Sequence, residues 1–137
     1  MSVKKIIKGI IMALSEKKKL EWEKTLRELG LMTETDTIEE NVSGDYWEKV
    51  LLTKSQIRGN FFFTKEKFIF VSAFGMNNLS FLYSEIKDLK KCMISVFIPT
   101  GIKITAFDKE SGKEKDYTIS VLKRAQRIAQ LSEKAGL

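Results

Sequence analysis

Between Gly59 and Glu85 the chain reads GNFFFTKEKFIFVSAFGMNNLSFLYSE: three short apolar runs broken by two polar, turn-like clusters. The runs Asn60–Thr64, Lys67–Phe74 and Asn78–Tyr83 are dense in Phe, Ile, Val and Tyr, which suit a pleated, half-buried surface. Lys65–Glu66 and Gly75–Met76–Asn77 separate them, so the pattern predicts a compact antiparallel meander. A period of two puts Phe61 and Phe63 on one face and Phe62 on the other. Before the meander, Trp47–Ile57 reads as a strand that turns at Arg58-Gly59-Asn60. After it come Ile86–Met93, Ile102–Phe107 and Lys115–Ser120, separated by Pro99-Thr100-Gly101 and a Ser111-Gly112 hairpin turn.

The two ends have a different period. Val3, Ile6, Ile7, Ile10, Ile11 and Leu14 recur at helical spacing, with Lys4, Lys5 and Lys8 mainly off that face. Ser15 suits the N-cap of a second helix, Glu16–Leu29, carrying Trp22, Leu26 and Leu29. The pattern equally fits one long helix. Gly30 suits a left-handed C-terminal cap, with Leu31 folding back on Leu26. Residues 32–45 are polar and acidic and read as a linker. Val121–Lys134 carries an apolar stripe at helical spacing opposite Lys123, Arg124, Gln126 and Arg127. The expected organisation is a helical extension over residues 1–31, an acidic linker over 32–45 and a main domain over 46–137. The class is α+β, mainly β, with seven antiparallel strands and a helix capping one open end.

Composition removes several chemistries. The chain has 137 residues, a length for one domain. It has no histidine, so neither Ser-His-Asp nor Cys-His catalysis can be built, nor any His-bearing metal site. The single cysteine, Cys92, excludes an intrachain disulfide and a thiolate zinc cluster, and fits a reducing compartment. Net charge is +6 and uneven: residues 1–30 carry +4, residues 31–49 carry −5 and residues 50–137 carry +7. A basic body attracts anionic membranes or nucleic acid, although lysines interleaved with acids are usually a solvated surface. The Ile6–Leu14 run is well short of the ~20 residues a spanning helix needs. It also lacks a small-residue cleavage site, so it is expected to be retained in a cytoplasmic protein.

Gly59-Asn60-Phe61-Phe62-Phe63-Thr64-Lys65-Glu66-Lys67-Phe68-Ile69-Phe70-Val71-Ser72 resembles the signature of GRAM and bacterial pleckstrin-homology-like domains. In that family a Gly opens a strand, a Thr ends it, a polar pair turns, and an aliphatic/Phe strand follows. Phe81-Leu82-Tyr83-Ser84-Glu85-Ile86, Pro99-Thr100-Gly101-Ile102-Lys103-Ile104 and the C-terminal helix continue the resemblance over about residues 46–137. It implies a seven-stranded barrel of two bent, nearly orthogonal sheets capped by the last helix. It also implies binding of phosphoinositides, other lipids or proteins, and not catalysis. The phosphoinositide-reading members place several basic residues around the first hairpin, where this chain has only Lys54 and Arg58.

The expected function is therefore a non-catalytic interaction module that docks to a protein partner or to itself, with weak electrostatic contact to anionic lipids. The alternative is a phosphoinositide or lipid-headgroup domain that targets membranes. Lys54, Arg58, Lys65 and Lys67 are the candidate anion-binding residues. Ile6, Ile7, Ile10 and Leu14 are the candidate partner or self-association surface. The aliphatic stripe lacks aromatics before Trp22, which favours packing or self-association over a membrane surface. No catalytic residue, metal or cofactor is expected. Nucleic acid is not expected, because alternation sends part of the Phe61–Phe63 run into the core and the RNA-recognition spacing is missing. The expected location is cytoplasmic, peripheral at a membrane where lipid is the partner.

Overall fold

The computed structural model describes residues 2–137; Met1, the first residue of the expected extension, lies outside the described residues. Helix α1 spans Val3–Glu28 without a break at Ser15. Ser2 caps it by accepting from the Lys5 amide at 3.3 Å. Gly30 takes φ +73° past its end. The Leu31 amide then donates to Leu26 O at 2.9 Å and the Gly30 amide to Arg27 O at 3.0 Å, the paired bonds of a Schellman stop.

The first strands differ from expectation. Strand β1 spans Ile38–Val50 and β2 spans Thr53–Thr64, paired along their whole length. Residues 38–45, expected as linker, are thus the first half of β1. The expected strand Trp47–Ile57 straddles the real hairpin turn at Leu51-Leu52. That turn contains no Gly, Asn, Asp or Pro, because Leu51 itself takes φ +55°. Gly59 does not turn the chain. It sits inside β2 opposite Gly44 and Ser72, where a β-carbon would come 2.2 Å from Val71 O.

Strands β3 (Lys67–Ser72) and β4 (Leu79–Leu82) complete the meander. A 3-10 turn over Tyr83–Glu85 leads to β5 (Ile86–Cys92), followed by β6 (Gly101–Asp108), β7 (Lys113–Val121) and helix α2 (Arg124–Ala135). Val121, expected in the last helix, ends β7 in the core, and Lys123 at φ +57° turns the chain into α2. The strand order is β4-β3-β2-β1-β7-β6-β5. The expected barrel is therefore one open antiparallel sheet: β4 and β5 are joined by the 3-10 turn and do not pair, so both remain edges.

Two cores sit on opposite faces of this sheet. Phe61, Phe63, Phe68, Phe70, Ile102, Ile104 and Ile119 fill the concave side, which Leu131 of α2 closes at one end. Phe62, Ile69 and Val71 face the other way and pack with Leu26, Met32 and Ile38, with Trp22 and Leu31 at the margin. The β3 run is apolar on consecutive positions because both of its faces are covered. A bulge between Ile38 and Glu40 breaks strand alternation. It allows consecutive Glu39 and Glu40 both to reach α2, Glu39 to Lys134 and Glu40 to Arg127 at 2.6 Å and Gln130 at 2.7 Å.

Candidate functional site

The β1–β2 hairpin carries the most unusual surface of the domain. Val50 pairs with Thr53 and Lys49 with Lys54, leaving Leu51 and Leu52 as the two-residue tip. Leu51 is 88% exposed and Leu52 is fully exposed. The Thr53 hydroxyl closes the turn by donating to Val50 O at 3.2 Å. A left-handed conformation at a leucine costs about 1–2 kcal/mol. Two lysines directly opposite each other are also unfavourable. A segment that combines backbone strain, like-charge pairing and bare leucines is poorly suited to water alone.

The loop between β3 and β4 leans on the same hairpin. Gly75 takes φ +76° and Asn77 φ +59°. The Asn78 amide group pins this loop, its oxygen accepting from the Ser72 N–H at 3.0 Å and its nitrogen donating to Gly75 O at 3.2 Å. The tight turn leaves Phe74 89% exposed, with Met76 also outward. Gln56, Ile57, Arg58, Ser72, Phe74 and Met76 are among the residues lining an open cleft of about 430 Å³ between loop and hairpin. The buried Ser72 hydroxyl there has no hydrogen-bond partner.

The four cations singled out from the sequence do not converge. Lys54 and Arg58 share one face of β2, on the hairpin arm. Arg58 stands opposite Asp45 in the ladder. Lys65 and Lys67 flank the β2–β3 turn at the far end of the strand. At ~3.3 Å per residue the Lys54 and Lys65 backbones are about 36 Å apart. Lys67 is also engaged, donating to Leu31 O at 3.4 Å. A headgroup pocket built from all four is therefore excluded by strand geometry. The cation that sequence reasoning missed is Lys49, which the register sets across from Lys54. The signal was the KVLLTK run, two lysines bracketing an apolar segment, hidden by its reading as continuous strand.

Ile6, Ile7, Ile10 and Leu14 lie on the first half of α1, exposed along with Val3, Ile11 and Met12. Only the second half of α1 is docked, through Trp22, Glu23 and Leu26. No helix is long and apolar enough to cross a membrane among the described residues. Nor do the described residues include a group of three or more His, Cys, Asp or Glu placed to hold a metal.

No protein-family model matches the chain, and no curated protein matches it. Among solved structures it is similar to the C-terminal domain of an unknown protein from Leishmania infantum, at 18% identity and a TM-score of 0.64, over 85% of this chain and 95% of that one. It also matches the Vps36 N-terminal PH domain at 17% identity and a TM-score of 0.49, over 77% and 82% of the two chains. The first likeness shows a shared fold. A seven-stranded antiparallel sheet followed by a packed C-terminal helix, here left open and preceded by a further helix, is consistent with a pleckstrin-homology-like fold.

Proposed function

We propose that this chain is a non-catalytic interaction module of the GRAM and bacterial pleckstrin-homology-like kind. In this reading its β1–β2 hairpin docks on an anionic membrane face. The observation that carries it is the tip itself: strained, exposed Leu51 and Leu52 bracketed by Lys49 and Lys54. Inserting two leucines below the headgroups gains roughly 3–6 kcal/mol of apolar transfer. Each lysine held near an anionic surface adds about 1 kcal/mol. Phe74 and Met76, on the neighbouring loop, extend the apolar contact. The scatter of Lys54, Arg58, Lys65 and Lys67 supports recognition of surface charge rather than selection of one phosphoinositide headgroup. The absence of histidine supports the non-catalytic part of the reading.

Vesicle co-sedimentation tests it. Leu51→Asp/Leu52→Asp and Lys49→Glu/Lys54→Glu are each expected to weaken binding to phosphatidylserine-containing vesicles by more than tenfold. Phosphoinositide vesicles matched for total charge should bind like phosphatidylserine vesicles. Binding unchanged in both double variants would refute the hairpin as the docking element.

A further inference from the structure

The first half of α1 is a second, separate surface. Over residues 2–19 the chain holds six lysines, Lys4, Lys5, Lys8, Lys17, Lys18 and Lys19, and a single acid, Glu16. Val3, Ile6, Ile7, Ile10, Ile11 and Leu14 are all exposed in a helix whose other half is fixed to the sheet. The phase of the helix decides what this stripe is able to meet. At ~100° per residue its centre lies about 140° around the axis from the docked face of Trp22, Glu23 and Leu26. The stripe is thus turned away from the sheet for as long as those three residues hold the helix. The same phase sets Lys17 and Lys18 about 50° to either side of the stripe centre, one turn beyond Leu14. Lys4 borders it near the other end. Glu21, on the stripe line itself, marks where the apolar face stops.

We infer that residues 3–18 of α1 form an in-plane anchor for an anionic phospholipid bilayer, with the isoleucine stripe below the headgroups and Lys4, Lys17 and Lys18 at headgroup level. Charge complementarity selects this occupant. A second copy seated stripe to stripe would gather the bordering lysines of both helices along one seam, where Glu21 at its end is the one acid on the stripe line and Glu16 points to the far side. An anionic leaflet offers the opposite charge at the height where those lysines emerge, and their long stems let the ammonium groups reach it. The anchor does not depend on the hairpin reading, since it uses different residues on a different element.

The test uses the full chain, with flotation on vesicles of phosphatidylcholine alone and with about one-third phosphatidylserine. Light scattering without vesicles gives the oligomeric state. One unit of charge near such a surface is worth about fivefold in binding. Lys17→Glu/Lys18→Glu and Ile7→Asp/Ile10→Asp are each expected to lower partition into the anionic vesicles at least tenfold. Circular dichroism and urea midpoint should change little, because Ile7, Ile10 and Lys17 are exposed and Lys18, also exposed, only borders the cleft beside Trp22, Ile38 and Phe62. The wild type should be monomeric without lipid. The inference is overturned if both variants bind as wild type does. It is equally overturned if the wild type is a dimer that Ile7→Asp/Ile10→Asp dissociates with no change in vesicle binding. Leu51→Asp/Leu52→Asp, run alongside, separates the two surfaces: its failure to weaken binding removes the hairpin reading and leaves the helix result standing.

Discussion

Asp36 is the residue whose loss should hurt most for its size. It is fully buried, in the segment that joins α1 to β1. One carboxylate oxygen accepts from the Thr64 hydroxyl at 2.6 Å, and the other from the amides of Thr37 at 2.8 Å and Glu66 at 3.1 Å. Arg27 of α1 donates to the Asp36 carbonyl at 2.9 Å, so the same short segment also holds the helix. Asp36→Ala deletes three bonds to a charged acceptor. Two of the abandoned donors have a fallback: the Thr64 hydroxyl has Lys67 O at 3.1 Å, and the Glu66 amide has Thr64 Oγ1 at 3.3 Å. The Thr37 amide loses its one partner among the described residues. One orphaned donor, two weakened bonds and a small cavity sum to about 3–5 kcal/mol. Asp36→Asn keeps the shape and one acceptor oxygen, and should cost only about 1–2 kcal/mol. Urea unfolding followed by the fluorescence of Trp22 and Trp47 measures both. With a slope of about 1–3 kcal/mol per molar urea, the alanine midpoint should fall by roughly 1–5 M. An alanine variant within 1 kcal/mol of wild type, or an asparagine variant as damaged as alanine, would refute the reasoning.

Three further outcomes follow from single positions. Gly59→Ala forces a β-carbon to within 2.2 Å of the Val71 carbonyl, a backbone atom that cannot step aside without breaking the β2–β3 ladder; urea unfolding should show a loss of about 2–3 kcal/mol. Leu51→Asn puts a residue that tolerates φ +55° at the hairpin tip; it should raise stability by about 0.5–1 kcal/mol in thermal melts while weakening vesicle binding, a trade expected of a working surface. Asp108 is held at a pKa of about 2, below its ordinary 3.8, chiefly by the Lys115 ammonium at 2.9 Å and then by Ser111. A lowered folded value means the carboxylate stabilises the fold fully above its unfolded pKa and loses that contribution as pH falls toward 2. Asp108→Asn should therefore melt below wild type at neutral pH, and the gap should close between about pH 4 and pH 2.

The parts of the fold that the sequence made legible are those set by periodicity. Alternation placed Phe61 and Phe63 opposite Phe62, and both faces proved buried. The glycine stop at Gly30 is where the C-terminal signal put it. What misled was turn chemistry and charge. Leu51-Leu52 turns the chain with no turn-forming residue, so β1 and β2 were displaced by several residues, and with them the surface that Lys49 belongs to. The acids of residues 32–45 resembled a solvated linker, yet Asp36 is buried by three donors and the Glu39–Glu40 pair is claimed by α2 through a bulge. Acids that are partnered only across long sequence separations, such as Glu40 with Arg127, carry no local trace of their partner. The four basic candidates were grouped by nearness in sequence, and an extended strand turns nearness in sequence into distance.

The unbroken passage of α1 through Ser15 has a mechanical consequence. A helix without a hinge is a shaft about 39 Å long, and its two halves cannot rotate independently. The heading of the isoleucine stripe is thereby fixed relative to the sheet, like a key relative to its bow. One alanine inserted after Ser15 would swing the stripe by ~100° while leaving every residue of it intact, and seven would return it to within about 20° of its first heading. Any task that needs the domain to stand at a set angle over the surface its helix touches should therefore fail with one added residue and recover with seven.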